Sequence, residues 1–331
     1  MVSSERRSAD VLTPRRLRSQ NVVVGVDGGG TKTHAVILDT AERVLGEGTA
    51  GPSNPLRVGI ANAAAAVRQA IDKACEAAQV RRSDIVAAEV GLAGARRIEL
   101  RARVREALSN IGFHDIDVVG DAEIALYGAS DGAPGVVVIA GTGSICCGIN
   151  ASGKRVYAGG WGPVAGDEGG GAWIARRALR AIAHASDGRG PRTSLTTAAC
   201  AHFHVSAPDD LSTAIYAPTI TNERIAGFAK QVIEAAHAKD QVALEIIAEG
   251  GRELGLAAMA VIRNLKMQLE QFQVAYVGGV FDAGGELVLA PMREQIKQIA
   301  PHAYLASPRI APAVAAARMA RARSNRVALA G

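Results

Sequence analysis

Residues 22–33 read VVVGVDGGGTKT, and the apolar run Ala35–Leu38 follows directly. Apolar, mostly β-branched residues lead into Asp27, and three consecutive glycines come next. Because β-branched residues favour strands and glycine adopts the backbone angles of tight turns, this order predicts a strand, a glycine turn and a returning strand.

The glycine turn also contains the groups that a phosphate site needs. Glycine lets backbone N–H groups approach an anion closely, and the glycines concerned are Gly28, Gly29 and Gly30. Thr31 adds a hydroxyl, Lys32 adds a cation, and Asp27 could hold a hydrated metal ion. An ordinary glycine-rich hairpin explains the same residues, so this stretch alone leaves both interpretations open.

Two other nucleotide-binding motifs are excluded at this turn. A P-loop places Gly-Lys-Ser/Thr at the start of a helix, and a dinucleotide fingerprint also opens a helix. Here an apolar, strand-like run follows the glycines. The turn is therefore neither a P-loop nor a dinucleotide fingerprint.

The composition bounds the size and the partners of the protein. The 331 residues are 48% hydrophobic and 4% aromatic, with a formal net charge of +5. This length allows two domains with separate cores. The positive charge concentrates in residues 1–20 and 318–331, so the body of the chain is slightly acidic. We expect a disordered basic tail at 1–20, a second basic tail at 323–331, and no nucleic-acid partner.

The four cysteines, Cys75, Cys146, Cys147 and Cys200, show no metal-binding spacing. Cys146 and Cys147 lie in an apolar, strand-like run, so their side chains should point to opposite faces of a sheet. No segment resembles a membrane span, and residues 1–20 lack the apolar stretch of a secretory signal. We therefore expect free thiols in a cytoplasmic protein without a membrane partner.

The order of apolar runs predicts an α/β protein. Strands are expected at 22–27, 33–39, 43–49, 85–92 and 116–120, with helices at 59–79 and about 97–110 between them. A helix starts at Asp121, and further strands follow within 136–162. Helices are then expected at 170–185, 193–203, 209–217, 222–238 and 241–265. Strands at 274–280 and 302–306 and a helix at 312–322 complete the ordered chain.

Residues 136–162 repeat the element order of residues 22–48. Each stretch contains an apolar strand, a turn with Gly-Thr, a returning strand, a polar turn and Arg-Val before a third strand. A duplicated fold is the economical explanation. We therefore expect one domain at 21–120 that includes the helix at about 312–322, and a second at 121–311 with a helical insertion at about 170–265.

Two duplicated domains, each with a Gly-Thr turn, can hold one polyphosphate between them. The second turn would supply Gly141, Thr142, Gly143 and Ser144. A third glycine-rich motif is the pair Gly278 and Gly279, which lies in an expected strand. Its missing side chains leave room for a ribose or a flat ring. A β-bulge is the alternative explanation for this pair.

The order of these glycine-rich motifs along the chain resembles that of the sugar kinase/heat-shock protein 70/actin superfamily. Within this superfamily, the sequence resembles the N-acetylglucosamine kinase-like family, which includes the BadF/BadG/BcrA/BcrD ATPases. The resemblance covers about 22–317 and is most specific in the run GGWGPVAGDEGGGAWIA at 159–175. The other motifs are DGGGTKT, GxSN, the Asp-Ala helix start, AGTGS and VGGVF. The resemblance implies two ribonuclease H-like (actin-like ATPase) domains with a cleft between them. It also implies a kinase that uses ATP and Mg²⁺ to phosphorylate the 6-hydroxyl of N-acetylglucosamine or glucosamine.

The resemblance further implies roles for individual residues. Asp121 would be the general base, and Asp27 would hold Mg²⁺, through water. The ATP site would comprise Gly28, Gly29, Gly30, Thr31, Lys32, Gly141, Thr142, Gly143, Ser144, Gly278 and Gly279. The amino-sugar site would comprise Ser53, Asn54, Gly94, Gly160, Trp161, Gly162, Asp167 and Glu168, with Glu168 behind Asp167.

Residue chemistry gives independent support to two of these roles but leaves alternatives. A carboxylate at the start of a helix between two lobes can accept a hydroxyl proton, yet Asp is also a common helix N-cap. Asp167 and Glu168 can accept hydrogen bonds from sugar hydroxyls while Trp161 stacks on the ring, yet such a glycine-rich loop can also be a solvated turn.

Other functions also remain open. The main alternative is an ATPase activator of a radical dehydratase or reductase, similar to BcrA and HgdC, whose iron–sulfur cluster is held by cysteines of two subunits. Adjacent cysteines in a strand, Cys146 and Cys147, are poorly presented for such bridging. A non-catalytic sugar sensor is the third possibility. The sequence does not separate N-acetylglucosamine from glucosamine or N-acetylmuramic acid, and a homodimer is the commonest expectation for assembly.

Overall fold

The computed structural model describes residues 21–113 and 115–330, except for the side chains of 327–330. The expected disorder of residues 1–20 falls outside this part of the chain. The strands are β1 (Val22–Gly28), β2 (Thr33–Leu38), β3 (Val44–Ala50), β4 (Ile85–Leu92), β5 (Ile116–Gly120), β6 (Gly135–Ala140), β7 (Ser144–Ile149), β8 (Arg155–Gly159), β9 (Gln273–Val277) and β10 (Tyr304–Ala306).

The α-helices lie between and after these strands, and several of them begin directly after a glycine. They are α1 (Pro55–Val58), α2 (Ile60–Ala78), α3 (Ile98–Ala107), α4 (Asp121–Ser130), α5 (Gly171–Ser186), α6 (Leu195–Phe203), α7 (Leu211–Ile215), α8 (Asn222–Gly227), α9 (Ala229–His237), α10 (Gln241–Leu265), α11 (Gly279–Gly284), α12 (Glu286–Lys297) and α13 (Pro312–Ala330). Among the helices of the described residues, none is long and apolar enough to cross a bilayer.

The two sheets have the same topology. Lobe 1 contains a sheet of order β3-β2-β1-β4-β5, and lobe 2 contains one of order β10-β9-β6-β7-β8. In each sheet three consecutive strands pair antiparallel, and two later strands run parallel to the first of the three. The duplicated α/β fold predicted from the repeat is therefore confirmed.

Helices α4 and α13 lie between the two sheets. The apolar side chains of α4, including Leu126, pack on lobe 2 against Val137 and Cys147. On its other side Ile124 packs against Ala316 of α13, and α13 in turn covers the lobe 1 sheet. A movement of the lobes relative to each other must therefore involve α4, and the first residue of α4 is Asp121.

Cys146 and Cys147 lie in different apolar cores on opposite faces of β7. Both thiols are fully buried and unpaired, as is expected for neighbouring residues of a strand. Cys75 is also buried, and Cys200 is half-buried. Burial raises the pKa of Cys147 to about 12, so this thiol stays protonated and unreactive at neutral pH.

Helix α13 continues to Ala330, so the expectation of a basic tail at 323–331 was wrong for residues 323–330. The reason is visible at Arg323, which forms ion pairs with Glu89 and Asp115 of lobe 1. The side chain of Glu89 is only 3% exposed, and a buried carboxylate needs a charged or hydrogen-bonding partner. Extending the helix brings that partner to it.

The structure also differs from the predictions in other elements. The helix expected at 59–79 is present as α2, and the short helix α1, which was not predicted, precedes it; Gly59, with a φ of 79°, separates the two. The helix expected at 222–238 is interrupted at the buried Phe228, and α12, which contains Pro291, was not predicted. The strand expected at 274–280 ends at Val277, so Gly278 and Gly279 belong to a turn and to the start of α11.

The contact between β1 and α13 yields a stability prediction. A Cβ atom on Gly25 would lie 2.1 Å from the carbonyl oxygen of Ala313 and 2.1 Å from the amide nitrogen of Ala317. Both are backbone atoms, so the whole helix would have to move. We expect Gly25→Ala to lower the free energy of unfolding by about 2–4 kcal/mol in urea titrations.

Gly51→Ala is the matched control, because no atom lies within 4 Å of the added methyl group. It should change the free energy of unfolding by less than about 0.5 kcal/mol. Equal stability of the two variants would contradict the packing of α13 on β1.

Candidate active site

Two carboxylates lie at the same edge of the lobe 1 sheet. Asp27 near the end of β1 is aligned with Gly91 of β4, and the end of β4 is aligned with Gly120, the last residue of β5. Asp121 follows at once and opens α4. Since neighbouring strands are about 4.8 Å apart, the topology brings both acids to one end of the cleft.

The structure excludes the alternative in which Asp121 is a plain N-cap. Gly120 occupies the cap position with extended backbone angles, and Asp121 is the first helical residue. Its Oδ1 accepts a hydrogen bond of 2.8 Å from the N–H of Ala122. The carboxylate is thus held at the helix start but is only half-buried.

The surroundings of these acids raise their pKa values. Burial raises the pKa of Asp121 to about 6, the negative charges of Asp27 and Glu123 act in the same direction, and the Ala122 N–H opposes them. Burial also raises the pKa of Asp27, against the attraction of His34 and Lys32. A carboxylate with a pKa near 6 is well matched to accepting a proton at neutral pH.

Backbone hydrogen bonds fix the first glycine turn, and the residues at its tip are exposed to solvent. The N–H of Gly29 donates to the carbonyl of Lys32 at 2.8 Å, and the N–H of Ser53 donates to the carbonyl of Gly29 at 3.0 Å. The N–H of Gly29 therefore closes the turn and is not free for a phosphate, which corrects that part of the prediction. Thr31 and Lys32 are exposed, while Gly28 packs so closely that a Cβ would lie 2.2 Å from Ser53 Oγ.

The second glycine turn is built in a similar way. The N–H of Gly141 donates to the carbonyl of Gly143 at 2.9 Å, and Thr142 is exposed at the tip. Behind the turn, the N–H groups at the start of α5 donate to the carbonyls of Gly141 and Thr142 at 2.8 and 2.9 Å. The Oγ of Ser144 donates to the carbonyl of Glu168 at 2.7 Å, so this hydroxyl positions a loop.

Gly278 lies against the second turn. It has a φ of 115°, and a Cβ there would lie 2.5 Å from the carbonyl oxygen of Ala140. Only glycine fits this backbone and this contact. Gly279 is exposed at the start of α11. The structure thus brings Gly278 and the 141–143 turn together, although through a turn and not through the predicted strand.

The lobe 1 loop of the predicted sugar site is centred on Ser53 and Asn54. Ser53 is fully buried and accepts a 2.8 Å hydrogen bond from the hydroxyl of Thr33. It has no surface left for a ligand, so its predicted contact with the sugar is wrong in this conformation, and its role is to hold the loop. Asn54 is half-buried and touches Gly94, where a Cβ would lie 2.5 Å from Asn54 Oδ1.

The lobe 2 loop of the predicted sugar site folds around Asp167. Asp167 has a φ of 63°, and its Oδ1 accepts a 3.2 Å hydrogen bond from the N–H of Gly162. Its other oxygen lies 2.2 Å from where a Cβ on Gly143 would be, so the loop packs on the second phosphate turn. Burial raises the pKa of Asp167, and Glu168 stays half-buried beside it. Trp161, at the beginning of the same loop, is 72% exposed.

Two contacts that cross the cleft were not predicted from the sequence. The Nη1 of Arg96 in lobe 1 donates to the carbonyl of Gly159 in lobe 2 at 3.2 Å. Arg57 of α1 forms an ion pair with Glu223 of α8. Pairing across a cleft depends on tertiary structure, so the only sequence signal was the presence of arginines directly after the Asn54 and Gly94 turns.

Glu123 is the third feature that sequence reasoning missed. Its side chain is 1% exposed and lies between Arg101 of α3 and Arg155 of β8, with ion pairs to both. It also accepts a 3.3 Å hydrogen bond from the N–H of Gly120. Glu123 therefore ties the start of α4, and with it Asp121, to both lobes. A glutamate three residues after the cap was the available signal.

The carboxylates at this edge of the sheet match the ligands that Mg²⁺ takes in proteins. Among the described side chains, no group of three or more His, Cys, Asp or Glu could hold a metal ion alone. Mg²⁺ is usually bound by one or two carboxylates together with substrate phosphates and water. Asp27 and Asp121 at one sheet edge, beside a glycine turn, fit that requirement.

Comparisons with known proteins agree over most of the chain. The model of the BadF/BadG/BcrA/BcrD ATPase family matches residues 24–320. The N-acetylmuramic acid/N-acetylglucosamine kinase of Clostridium acetobutylicum is 34% identical over 78% of this chain and 85% of its own. The N-acetyl-D-glucosamine kinase of Dictyostelium discoideum is 29% identical over 91% of this chain and 98% of its own.

A solved structure from Chromobacterium violaceum, assigned provisionally as an N-acetylglucosamine kinase, has a TM-score of 0.75 and 28% identity. The alignment covers 91% of this chain and 99% of that one. A glucokinase of the ROK family from Streptomyces griseus, at 21% identity and a TM-score of 0.58, shares the fold. The predicted two-domain actin-like ATPase fold is therefore confirmed.

Proposed function

Because the chain belongs to the BadF/BadG/BcrA/BcrD ATPase family, we propose that it is an ATP-dependent kinase that phosphorylates the 6-hydroxyl of N-acetylglucosamine or glucosamine. The observation that carries the proposal is the placement of Asp121. This carboxylate stands at the start of α4, at the sheet edge that also bears Asp27 and the first phosphate turn.

Asp121 acts as the general base. It accepts the proton of the sugar 6-hydroxyl while that oxygen forms its bond to the γ-phosphorus of ATP, and the bond to the β,γ-bridging oxygen breaks as ADP leaves. Its pKa of about 6 keeps it mostly ionised at pH 7. When bound, Mg²⁺ neutralises charge on the phosphates, and Asp27 is the residue that would hold it.

The two glycine turns orient the nucleotide. The exposed Thr31, Lys32 and Thr142 supply hydroxyls and a cation to the phosphates, and the backbone of both turns is already fixed by the bonds described above. Gly278 and Gly279 leave space for the adenosine. Fixed donors are effective because they need little reorganisation as the reaction proceeds.

The sugar lies between the loops of the two lobes. Asn54 and Gly94 form the lobe 1 side, and Gly160, Trp161, Gly162 and Asp167 form the lobe 2 side. Asp167 accepts hydrogen bonds from sugar hydroxyls, and the exposed face of Trp161 stacks on the ring. Ser53 and Glu168 support these loops from behind. Lobe closure then excludes water that would otherwise hydrolyse ATP.

The raised pKa of Asp121 predicts the pH dependence of catalysis. The base must be unprotonated, so activity is present above the pKa and is lost as the pH falls through it. We expect kcat/KM for the sugar to fall below about pH 6, approaching a tenfold loss per pH unit. Initial rates between pH 5 and 8 measure this, with enzyme preincubated at pH 5 and assayed at pH 7.5 as the stability control. A profile that stays flat to pH 5 would exclude Asp121 as the base.

A panel of sugars tests the proposal as a whole. ADP release is measured with ATP and Mg²⁺ alone, and then with N-acetylglucosamine, glucosamine, N-acetylmuramic acid or glucose. The proposal predicts release that depends on an amino sugar. ATP hydrolysis at one rate with or without any sugar would contradict it and would favour an activator ATPase, although the buried Cys146 and Cys147 offer that function no surface thiol.

A further inference from the structure

We propose that Arg57 binds the γ-phosphate of ATP, and that Glu223 holds the same guanidinium when no phosphate is bound. The inference rests on the ATP site of the proposed function. It adds to that site a cation from outside the glycine turns and a carboxylate that competes with the nucleotide for it.

The backbone fixes Arg57 beside the first glycine turn. The N–H of Ser53 donates to the carbonyl of Gly29 at 3.0 Å, so the loop before α1 is attached to the turn. Asn54 then caps α1 by accepting a 3.0 Å hydrogen bond from the N–H of Leu56. Because α1 has only four residues, Arg57 stays within about one helical turn of this attachment.

The side chain of Arg57 lies against the turn itself. A Cβ atom on Gly30 would be 3.1 Å from Nη1 and 3.7 Å from Cζ of Arg57. Directly after Gly30 come Thr31 and Lys32, the exposed residues that we assign to the phosphates. A guanidinium in this place would meet an anion bound at the turn, and guanidinium binds phosphate oxygens through two parallel hydrogen bonds.

The geometry of phosphoryl transfer indicates which phosphate this is. The phosphorus that is transferred must lie next to the hydroxyl that Asp121 deprotonates. Asp121 shares the sheet edge with Asp27, and Asp27 directly precedes the glycines of the first turn. The γ-phosphate therefore belongs to the first turn and to Arg57. ADP has no such group, so Arg57 should distinguish ATP from ADP.

Glu223 reaches the same guanidinium from lobe 2, where it forms an ion pair with Arg57. It lies in the first turn of α8, whose start is capped by the side chain of Thr221. Helix α8 packs on the start of α5, since a Cβ on Gly171 would lie 3.3 Å from the carbonyl oxygen of Ala226. The start of α5 holds the second glycine turn, so the ion pair spans the two turns that orient the nucleotide.

The γ-phosphate can displace Glu223 from Arg57. Over residues 21–113 and 115–326, Glu223 is the only side chain that pairs with Arg57, and both side chains are 36% exposed. An ion pair this exposed contributes little, because water competes for both charges. The γ-phosphate carries more negative charge than a carboxylate and offers the guanidinium the same two-bond geometry. Binding of ATP should therefore transfer Arg57 from Glu223 to the nucleotide.

Calorimetric titration tests the inference without turnover. The full-length wild type and Arg57→Gln are titrated, with Mg²⁺ present, with ADP and with an ATP analogue in which NH replaces the β,γ-bridging oxygen. We expect Arg57→Gln to raise the Kd of the analogue about 10- to 100-fold, through loss of hydrogen bonds to a charged group, and to leave the Kd of ADP within about threefold.

Glu223→Gln should have the opposite effect. It leaves Arg57 free for the phosphate, so the analogue should bind about two- to fivefold more tightly than to the wild type. In the double variant Arg57→Gln/Glu223→Gln this gain should disappear, because Glu223 acts only through Arg57. An ion pair that merely holds the lobes together would shift the affinity in the same direction in both single variants.

Arg81→Gln is the matched control. Arg81 also pairs with one carboxylate, that of Asp84, but it precedes β4 and so lies at the end of the lobe 1 sheet opposite to Asp27. This variant should bind both nucleotides like the wild type. Thermal unfolding of each variant shows that the fold is retained.

Three results would overturn the inference: an equal loss of ADP and analogue affinity in Arg57→Gln, shifts of the same sign in the two single variants, or an equal loss in Arg81→Gln. Failure of the proposed function is a different result. The wild type would then bind both nucleotides but release no ADP that depends on an amino sugar, and the titrations would still decide the role of Arg57.

Discussion

Replacing Asp121 with asparagine should lower kcat by about 10²- to 10⁴-fold while leaving ATP affinity within a few fold. Asparagine preserves the size of the side chain and its hydrogen bond from the N–H of Ala122, but it cannot accept a proton from a hydroxyl. The expected loss is large because no second carboxylate stands at the start of α4 with its side chain open to the cleft; Glu123 is 1% exposed and engaged by two arginines. Steady-state kinetics and calorimetric titration with ATP measure the two quantities.

Asp131→Asn is a matched control for this prediction. Asp131 lies at the other end of the same helix, has a φ of 51°, and is 63% exposed. Asparagine tolerates that backbone conformation well, so kcat should stay within about twofold. Near-normal turnover in Asp121→Asn, or an equal loss in both variants, would remove Asp121 from the role of base.

Replacing Glu123 with glutamine should lower the free energy of unfolding by about 3–5 kcal/mol. Glutamine keeps the volume but removes the charge that faces Arg101 on one side and Arg155 on the other. Breaking a buried ion pair by removing one partner is costly, because the remaining charges lose their compensation. Since Glu123 also raises the pKa of Asp121, its neutralisation should shift the acid limb of the pH profile to lower pH.

Glu286→Gln provides the control for stability. Glu286 forms two hydrogen bonds of 3.0 Å with Arg293, but its side chain is 69% exposed. An exposed pair contributes little, so this variant should unfold within about 1 kcal/mol of the wild type in urea. If Glu123→Gln were equally stable, the network would not be a link between the lobes.

Local sequence patterns were sufficient for most of the fold. The apolar runs and glycine turns of residues 22–48 and 136–162 predicted two equivalent three-stranded units. Each of the two sheets contains one such unit. The start of a helix at Asp121 was also predictable, since a short apolar strand ending in Gly120 precedes it. These features depend on neighbours in the chain, which is why the sequence reveals them.

Features set by tertiary contacts could not be predicted in the same way. Two consecutive glycines are compatible with a bulge, a continued strand or a turn. The close packing of Gly278 against Ala140, a residue far away in the sequence, favours the turn. Ser53 stands next to Asn54 in the sequence, yet it is fully buried and accepts a hydrogen bond from Thr33. The positions of Arg96 and Glu123 depend on lobe 2 residues, Gly159 and Arg155, that lie far along the chain.

The most direct test of the account is ³¹P NMR of a reaction that contains the protein, ATP, Mg²⁺ and N-acetylglucosamine. The account predicts that ADP and a sugar 6-phosphate accumulate in equal amounts, with the phosphorus signal coupled to the two protons on C6. ADP with inorganic phosphate and an unchanged sugar would contradict it.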